Sequence, residues 1–398
     1  MIHIDRKEDC CGCGACANVC PKNCIQMTAD KEGFLYPNIN KDTCVDCGLC
    51  EKVCPEINVE PDTPKVQKAF LVQNKDEQVL SESTSGGFFT AIAECVLEND
   101  GVVFGAAFDE NFYVKHTFVD NKKELYRFRN SKYVQSDTND SYKLVEKVLK
   151  EDKLVCYSGT PCQIEGLYHY LRKPYDNLIL VDVVCRAVPS PLLWEKYLEL
   201  QSKKQSKHID NIKFRDKNPY GYRYSQLGIY SFGEQIYNKG VESDQYLRAF
   251  FSNICDRPSC YKCNYRKRYR VSDFTIWDCF EVYKYDKKLD NNKGVTRVLL
   301  QTKKAETLFY KLEDKLTFVE IEPEKLINNF KEMFNSPAEH ERRDSFFEDI
   351  NTMDIKDCLD KYYPNNVKIA AMKFMRQTMC KIGIYDFVKK SAKKFLKK

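Results

Sequence analysis

Apolar residues along this 398-residue chain fall into short runs separated by polar turns, and no run approaches the 18 residues that would cross a membrane. Residues 69–72 predict a strand. Ser85-Gly86-Gly87 opens an apolar helix over 88–97. Residues 101–108 and 113–119 predict an antiparallel pair turning around 109–111, and the polar loop 131–136 leads into a helix over 142–150. A strand at 154–157, a turn at Ser158-Gly159-Thr160 and a helix from Pro161 to about residue 171 come next. Proline in the first helical position behind a Thr N-cap is a consistent start signal. Residues 178–184 form the continuous apolar run of a strand buried on both faces, so this stretch predicts a parallel crossover unit. Residues 212–237 suit strands and loops, and 295–301 and 316–321 are further strands.

The order of elements predicts a mixed α+β and α/β chain. A small two-cluster head occupies 1–60, and a stiff linker 61–68 carries Pro61 and Pro64. An α/β unit over 69–150 and a second unit over 151–330 form a core, and a helical tail spans 331–398. Apolar residues at 43% and charged residues at 30% suit a soluble globular protein. Residues 1–9 lack the pattern of a signal peptide, and twenty cysteines without an export signal point to the reducing cytoplasm and to thiols kept for metal.

Net charge is only +5, but its distribution is uneven. From Val367 the tail carries ten Lys or Arg against one acid, Asp386. Val367, Ala370, Ala371, Phe374, Met375, Ile382 and Tyr385 keep near-helical spacing. Such a stripe suits peripheral contact with an anionic membrane or an acidic partner, or an ordinary helix with a solvated basic face. Elsewhere acids nearly balance bases, which argues against nucleic acid as a partner.

The chemistry lies in the cysteines. Cys10, Cys13, Cys16 and Cys20 stand as C-x2-C-x2-C-x3-C followed by Pro21, and the same run returns at Cys44, Cys47, Cys50 and Cys54 followed by Pro55. In this spacing three thiolates grip one 4Fe-4S cube and the fourth reaches the other cube. One cluster therefore falls to Cys10, Cys13, Cys16 and Cys54, and the other to Cys44, Cys47, Cys50 and Cys20. Zinc sites instead show paired hooks across a longer loop. Cys11 adjoins a ligand but does not give the x2 spacing to Cys13, and Cys24 reads as a small buried thiol beside the cluster.

Cys255, Cys260 and Cys263 form C-x4-C-x2-C, the front of a plant-type ferredoxin spacing, with Cys185 or Cys162 as a fourth ligand. The triplet suits a third iron–sulfur cluster, a zinc ion or unliganded thiols. Cys162 sits in a first helical turn, where free amides and the helix dipole favour thiolate. It is a candidate ligand, cofactor contact or redox thiol. Clusters alone move single electrons, and joining these to a two-electron substrate takes a flavin. The loops Ser85-Gly86-Gly87 and Gly159-Thr160, each before a helix, have amides that could receive its phosphates.

These motifs, in this order, resemble the coenzyme F-420 hydrogenase/dehydrogenase beta subunit family. The likeness runs from the double cysteine motif with Gly33-Phe34-Leu35-Tyr36-Pro37 between its halves to about residue 300. It includes Ser85 to Gly87, Ser131 to Ser136, Ser158 to Gln163, Val181 to Cys185 and Cys255 to Cys263, and ends in Ser272-Asp273. It implies FAD beside the clusters, held by Ser85, Gly86, Gly87, Ser131, Lys132, Tyr133, Gly159, Thr160 and Gln163. It also implies exchange of electrons with a deazaflavin or another small redox substrate. Lys132, Cys162 and Arg186 become the candidate catalytic groups, Arg186 offering its guanidinium to an anionic substrate. The chain departs from the family where Cys185-Arg186-Ala187 replaces Cys-His-Gly and where Trp277-Asp278-Cys279-Phe280-Glu281 replaces Gly-Asp-Phe-Trp-Gly. Bacterial members of similar sequence accompany surface-polysaccharide genes, so ferredoxin and a nucleotide-linked sugar precursor are further candidate partners.

Overall fold

The computed structural model describes residues 1–328, 330–385 and 387–389. The head folds around two short helices, Ala15–Val19 and Leu49–Lys52, and a hairpin of β1 (Ile25–Ala29) with β2 (Leu35–Ile39). Both helices begin on glycine in the left-handed region, Gly14 at φ 75° and Gly48 at φ 71°. Each glycine follows the second cysteine of its run, so the repeated spacing becomes a repeated backbone turn that L side chains resist.

The core is one eight-stranded sheet. Its strands are β3 (Lys68–Asn74), β4 (Val102–Phe108), β5 (Val114–Val119), β6 (Val155–Gly159) and β7 (Leu178–Val183), then, after a separate meander, β11 (Phe274–Asp278), β12 (Thr296–Leu300) and β13 (Leu316–Ile321). Their order is β13-β3-β12-β11-β7-β6-β4-β5. The central four, β11-β7-β6-β4, are parallel, and the flanking strands are antiparallel. The predicted antiparallel pair and crossover unit are both present, with the helix Pro161–Leu171 carrying the crossover. The meander β8 (Asn211–Asp216), β9 (Gln226–Ser231) and β10 (Glu234–Lys239) forms a second sheet.

Three features differ from the sequence reading. The sheet takes strands from both sides of residue 150, so 69–150 and 151–330 share a single sheet rather than forming two units. Cys11, Cys13, Ala15 and Val53 of the head pack in one apolar cluster with Val155, Ile164 and Leu167 of the core. The stretch read as a linker lies along the core as well, where the Lys65 Nζ donates to the Arg270 carbonyl and the Tyr269 amide to Asp62. Finally, residues 331–366 are not tail. Phe346, Phe347, Ile350 and Leu359, from the helices Arg343–Thr352 and Ile355–Tyr362, are buried against Trp194, Tyr197 and Phe214. The helix Val367–Lys381 does project, with Val367 and Phe374 85% and 72% exposed. The last nine residues of the basic tail and Asp386 lie outside the described residues.

Candidate functional site: a line of thiols leading to a large cavity

The second cysteine run builds the outer end of the site. Cys20, Cys24, Cys44, Cys47 and Cys50 wall one small cavity, so Cys20 of the first run does join the three closely spaced thiols of the second. Cys47 is exposed, and the Cys24 sulfur lies 3.3 Å from that of Cys20. The Ile2 amide points at the Cys50 sulfur from 3.3 Å. Deeper in the head, Cys16 neighbours Cys10 and Cys54, and Cys13 neighbours Cys16. Burial pushes the Cys54 thiol up to about 12. The thiols of each set are neighbours, and among the described residues no group of three or more Cys, His, Asp or Glu is arranged to hold a metal ion.

A third set lies where head and core meet. Cys11, Cys162, Cys185, Cys260 and Cys263 line one cavity together with Glu56, Tyr265 and Arg266. Cys255 is not among them. It is wholly buried in the apolar cluster of Trp194 and Tyr246, with its carbonyl taken by the Ser190 amide. The triplet spacing thus brings two of its three thiols to the site, and Cys162 and Cys185 arrive from the ends of β6 and β7. Cys11, set aside in the sequence as a neighbour of a ligand, reaches this cavity with its sulfur 3.6 Å from the Tyr265 hydroxyl. The Cys162 thiol is raised by its hydrogen bond to Cys11 and by burial.

Beyond this set opens a cavity of about 710 Å³ at the C-terminal ends of β6, β7 and β11. That is where open parallel sheets hold ligands. Cys185, Ala187, Val188 and Glu332 line both this cavity and the thiol cavity, so one layer of side chains separates the two.

Most residues expected to contact a cofactor line the large cavity: Ser85, Gly87, Ser131, Lys132, Tyr133, Gly159, Thr160 and Gln163. Their polar groups are not equally free. The Gly86 amide already donates to Thr296 Oγ1 at 2.9 Å, and a Cβ there would lie 2.1 Å from the Val72 carbonyl oxygen, so this glycine serves sheet packing. The Thr160 amide donates to Gln163 Oε1 at 3.0 Å in a capping box, which closes the Pro161 helix start on itself. The helix Phe88–Glu98 has no side-chain cap, and its first residues face the cavity. Ser131 is tied to Thr84 by two hydrogen bonds, which joins two loops of the rim. Lys132 lines the cavity, but its Nζ donates to the carbonyls of Arg127 and Arg129, and burial lowers it to about 7. Arg186 Nη2 donates to the Phe251 carbonyl and to Asn253, and Nη1 lies 3.9 Å from Glu332 at the cavity wall.

Several lining residues escaped the sequence reading. Arg215 comes from β8 and pairs with Asp278 at 2.8 Å while its Nε donates to Ser225. His116 stacks on Tyr157, bonds to Ser136 and to the Ser158 carbonyl, and is lowered by burial to about 4. Arg376, Tyr385 and Lys389 bring the tail to the cavity mouth, where Arg376 pairs with Glu242 at 2.7 Å. None of these sits in a recognisable short motif.

Thiols in cube-forming sets within a ferredoxin-like head, packed on a mixed α/β core, define an iron–sulfur electron-transfer protein. Residues 9–57 match the model of a 4Fe-4S dicluster domain. Residues 152–325 match the model for the C terminus of the beta subunit of coenzyme F420 hydrogenase/dehydrogenase. A chain of the F420-reducing [NiFe] hydrogenase complex from Methanosarcina barkeri is similar at 15% identity and a TM-score of 0.45. The likeness covers 76% of this chain and 91% of that one. No curated protein matches. Among the described residues no helix is long and apolar enough to cross a membrane.

Proposed function

We propose that this protein is an FAD-dependent iron–sulfur oxidoreductase whose thiol sets and cavity form a single line from the head surface to a small redox substrate. When bound, the clusters supply one-electron capacity and the flavin pairs those electrons for a two-electron substrate. The observation that carries this reading is the wall shared by the thiol cavity and the large cavity at Cys185, Ala187, Val188 and Glu332. A site for substrate chemistry so close to a cluster site has little use in a simple relay.

In this reading Cys10, Cys13, Cys16 and Cys54 hold the inner cube of the head, and Cys44, Cys47, Cys50 and Cys20 the outer one. Cys162, Cys185, Cys260 and Cys263 hold a third cluster. The uncapped start of the Phe88 helix receives phosphate through its amides. Tyr133, packed on Phe214 and Phe250, offers an apolar wall. Arg186 and Arg215 stand beside the carboxylates Glu332 and Asp278, and Arg186 Nε and Arg215 Nη2, unpartnered among the described residues, suit an anionic substrate, a deazaflavin or a nucleotide-linked sugar being the classes in view. Exposed Cys47 places the outer cube where a carrier such as ferredoxin can reach it. The exposed Val367 and Phe374, with the lysines around them, suit contact with an anionic membrane or an acidic partner on the cytoplasmic side.

Anaerobically purified protein should contain iron near twelve per chain, from three four-iron clusters, and one equivalent of FAD reducible by dithionite. Iron-replete protein that never takes up flavin, yet passes electrons to a partner enzyme, would establish a pure electron-transfer role instead.

A further inference from the structure

Between the head and the core, one buried cation touches the inner thiol set. Arg257 is fully buried, in the loop that leads to Cys260. Its Nε donates to the Cys10 carbonyl at 2.8 Å, and Nη1 to Gln135 at 2.9 Å. Nη2 donates to the Leu35 carbonyl at 2.9 Å and also faces the Cys10 sulfur at 3.6 Å. The guanidinium lies over the Tyr36 ring at 4.3 Å, and Gly12 admits it because a Cβ there would meet Nη1 at 2.7 Å. Contacts from distant parts of the chain thus hold one charge at one thiol.

The outer set has no buried cation among the described residues, Lys22 at its cavity wall being exposed to solvent. It receives the neutral Ile2 amide, and the nearby N-terminal ammonium is paired at the surface with Asp46 and Glu51. A cation in a dry site acts far more strongly on a neighbouring charge than one screened by water and carboxylates. Hydrogen bonds and charge at cluster sulfurs are among the controls on reduction potential.

We infer that Arg257 is a tuning residue that raises the reduction potential of the cube held by Cys10, Cys13, Cys16 and Cys54 above that of the outer cube. Reduction adds negative charge beside the guanidinium, which favours the reduced form. A single electron shared by the two cubes therefore rests on the inner one, facing the core. This inference rests on the two-cube reading of the head.

The test is potentiometric titration of the full-length protein, followed by the electron-spin signals of the two cubes, with C47S marking the outer one. In R257Q, the reduced-to-oxidised ratio of the inner cube at fixed potential should fall about tenfold, which is about 59 mV for one electron. The outer cube should not move. An iron-replete, folded R257Q with an unmoved inner potential, or with both potentials falling together, would overturn the inference. Should R257Q fail to fold, wild-type protein labelled with guanidino-15N arginine answers the question. A 15N coupling to the inner spin supports the contact, and its absence overturns it. Wild-type protein lacking cluster signals altogether would instead overturn the two-cube reading.

Discussion

Arg343 and Glu32, 311 residues apart, form a buried two-pronged ion pair with oxygen–nitrogen distances of 2.6 and 3.2 Å. The pair clamps a helix from the end of the chain onto the hairpin turn of the head. The same guanidinium donates to the Asp256 carbonyl beside the third thiol set. Head, core and C-terminal helices are therefore one body at this point.

Removing Arg343 leaves buried Glu32 with only the partly exposed Lys7 Nζ, 3.6 Å away, as its counterpart. R343M should lower stability by about 3–5 kcal/mol, and the double variant R343M/E32Q by distinctly less, because no bare charge then remains inside. Anaerobic urea unfolding of the iron-loaded protein, followed by tyrosine and tryptophan signals, measures both. Equal losses in the two variants would show that the pair is solvent-screened.

The third thiol set separates two kinds of cysteine within a short stretch of chain. C263S should lose iron amounting to about one four-iron cluster, while the head signals persist. C255A should keep its iron and lose about 1–3 kcal/mol through the small cavity it leaves among Trp194, Tyr246 and their neighbours. Iron analysis together with unfolding midpoints distinguishes them, and iron loss in C255A would return that residue to the ligand set.

His116 supplies a pH dependence. Its folded-state value is lowered by burial to about 4 from an ordinary 6.5, so the unfolded chain binds the extra proton between those limits. The stability it contributes is fully present above pH 6.5 and drains away as pH falls toward 4, about 3 kcal/mol in all. H116Q should flatten the wild-type slope between about pH 4 and 6.5 without altering iron content. Parallel slopes in the two proteins would place the titration elsewhere.

The mouth of the large cavity should respond to the tail. Truncation after Pro364 removes Arg376, Tyr385 and Lys389 from the rim and releases Glu242 from its ion pair. Dissociation of bound flavin should then speed up several-fold, as read from fluorescence recovery on dilution, and R376A should show part of the effect. An unchanged rate would mean that the tail does not cover the cofactor.

The head was legible in the sequence because its ligands are set by spacing. C-x2-C-x2-C places three thiols on one turn of backbone, and Gly14 and Gly48 repeat that turn. The strands at β4 to β7 were legible for a similar reason, since alternating or continuous apolar runs record which faces are covered. The third thiol set was not. Its sulfurs come from residues 11, 162, 185, 260 and 263, and the spacing of Cys255, Cys260 and Cys263 does not show that Cys255 stands apart from that cavity. Only the strand order, which lays β6, β7 and β11 side by side under the head, decides that Cys162 and Cys185 face Cys260 while Cys255 turns into the core. Contacts within a turn or two are fixed by local backbone geometry. Contacts across a sheet depend on how apolar faces pair over the whole chain, and Arg257, His116 and Arg215 owe their places to that pairing alone.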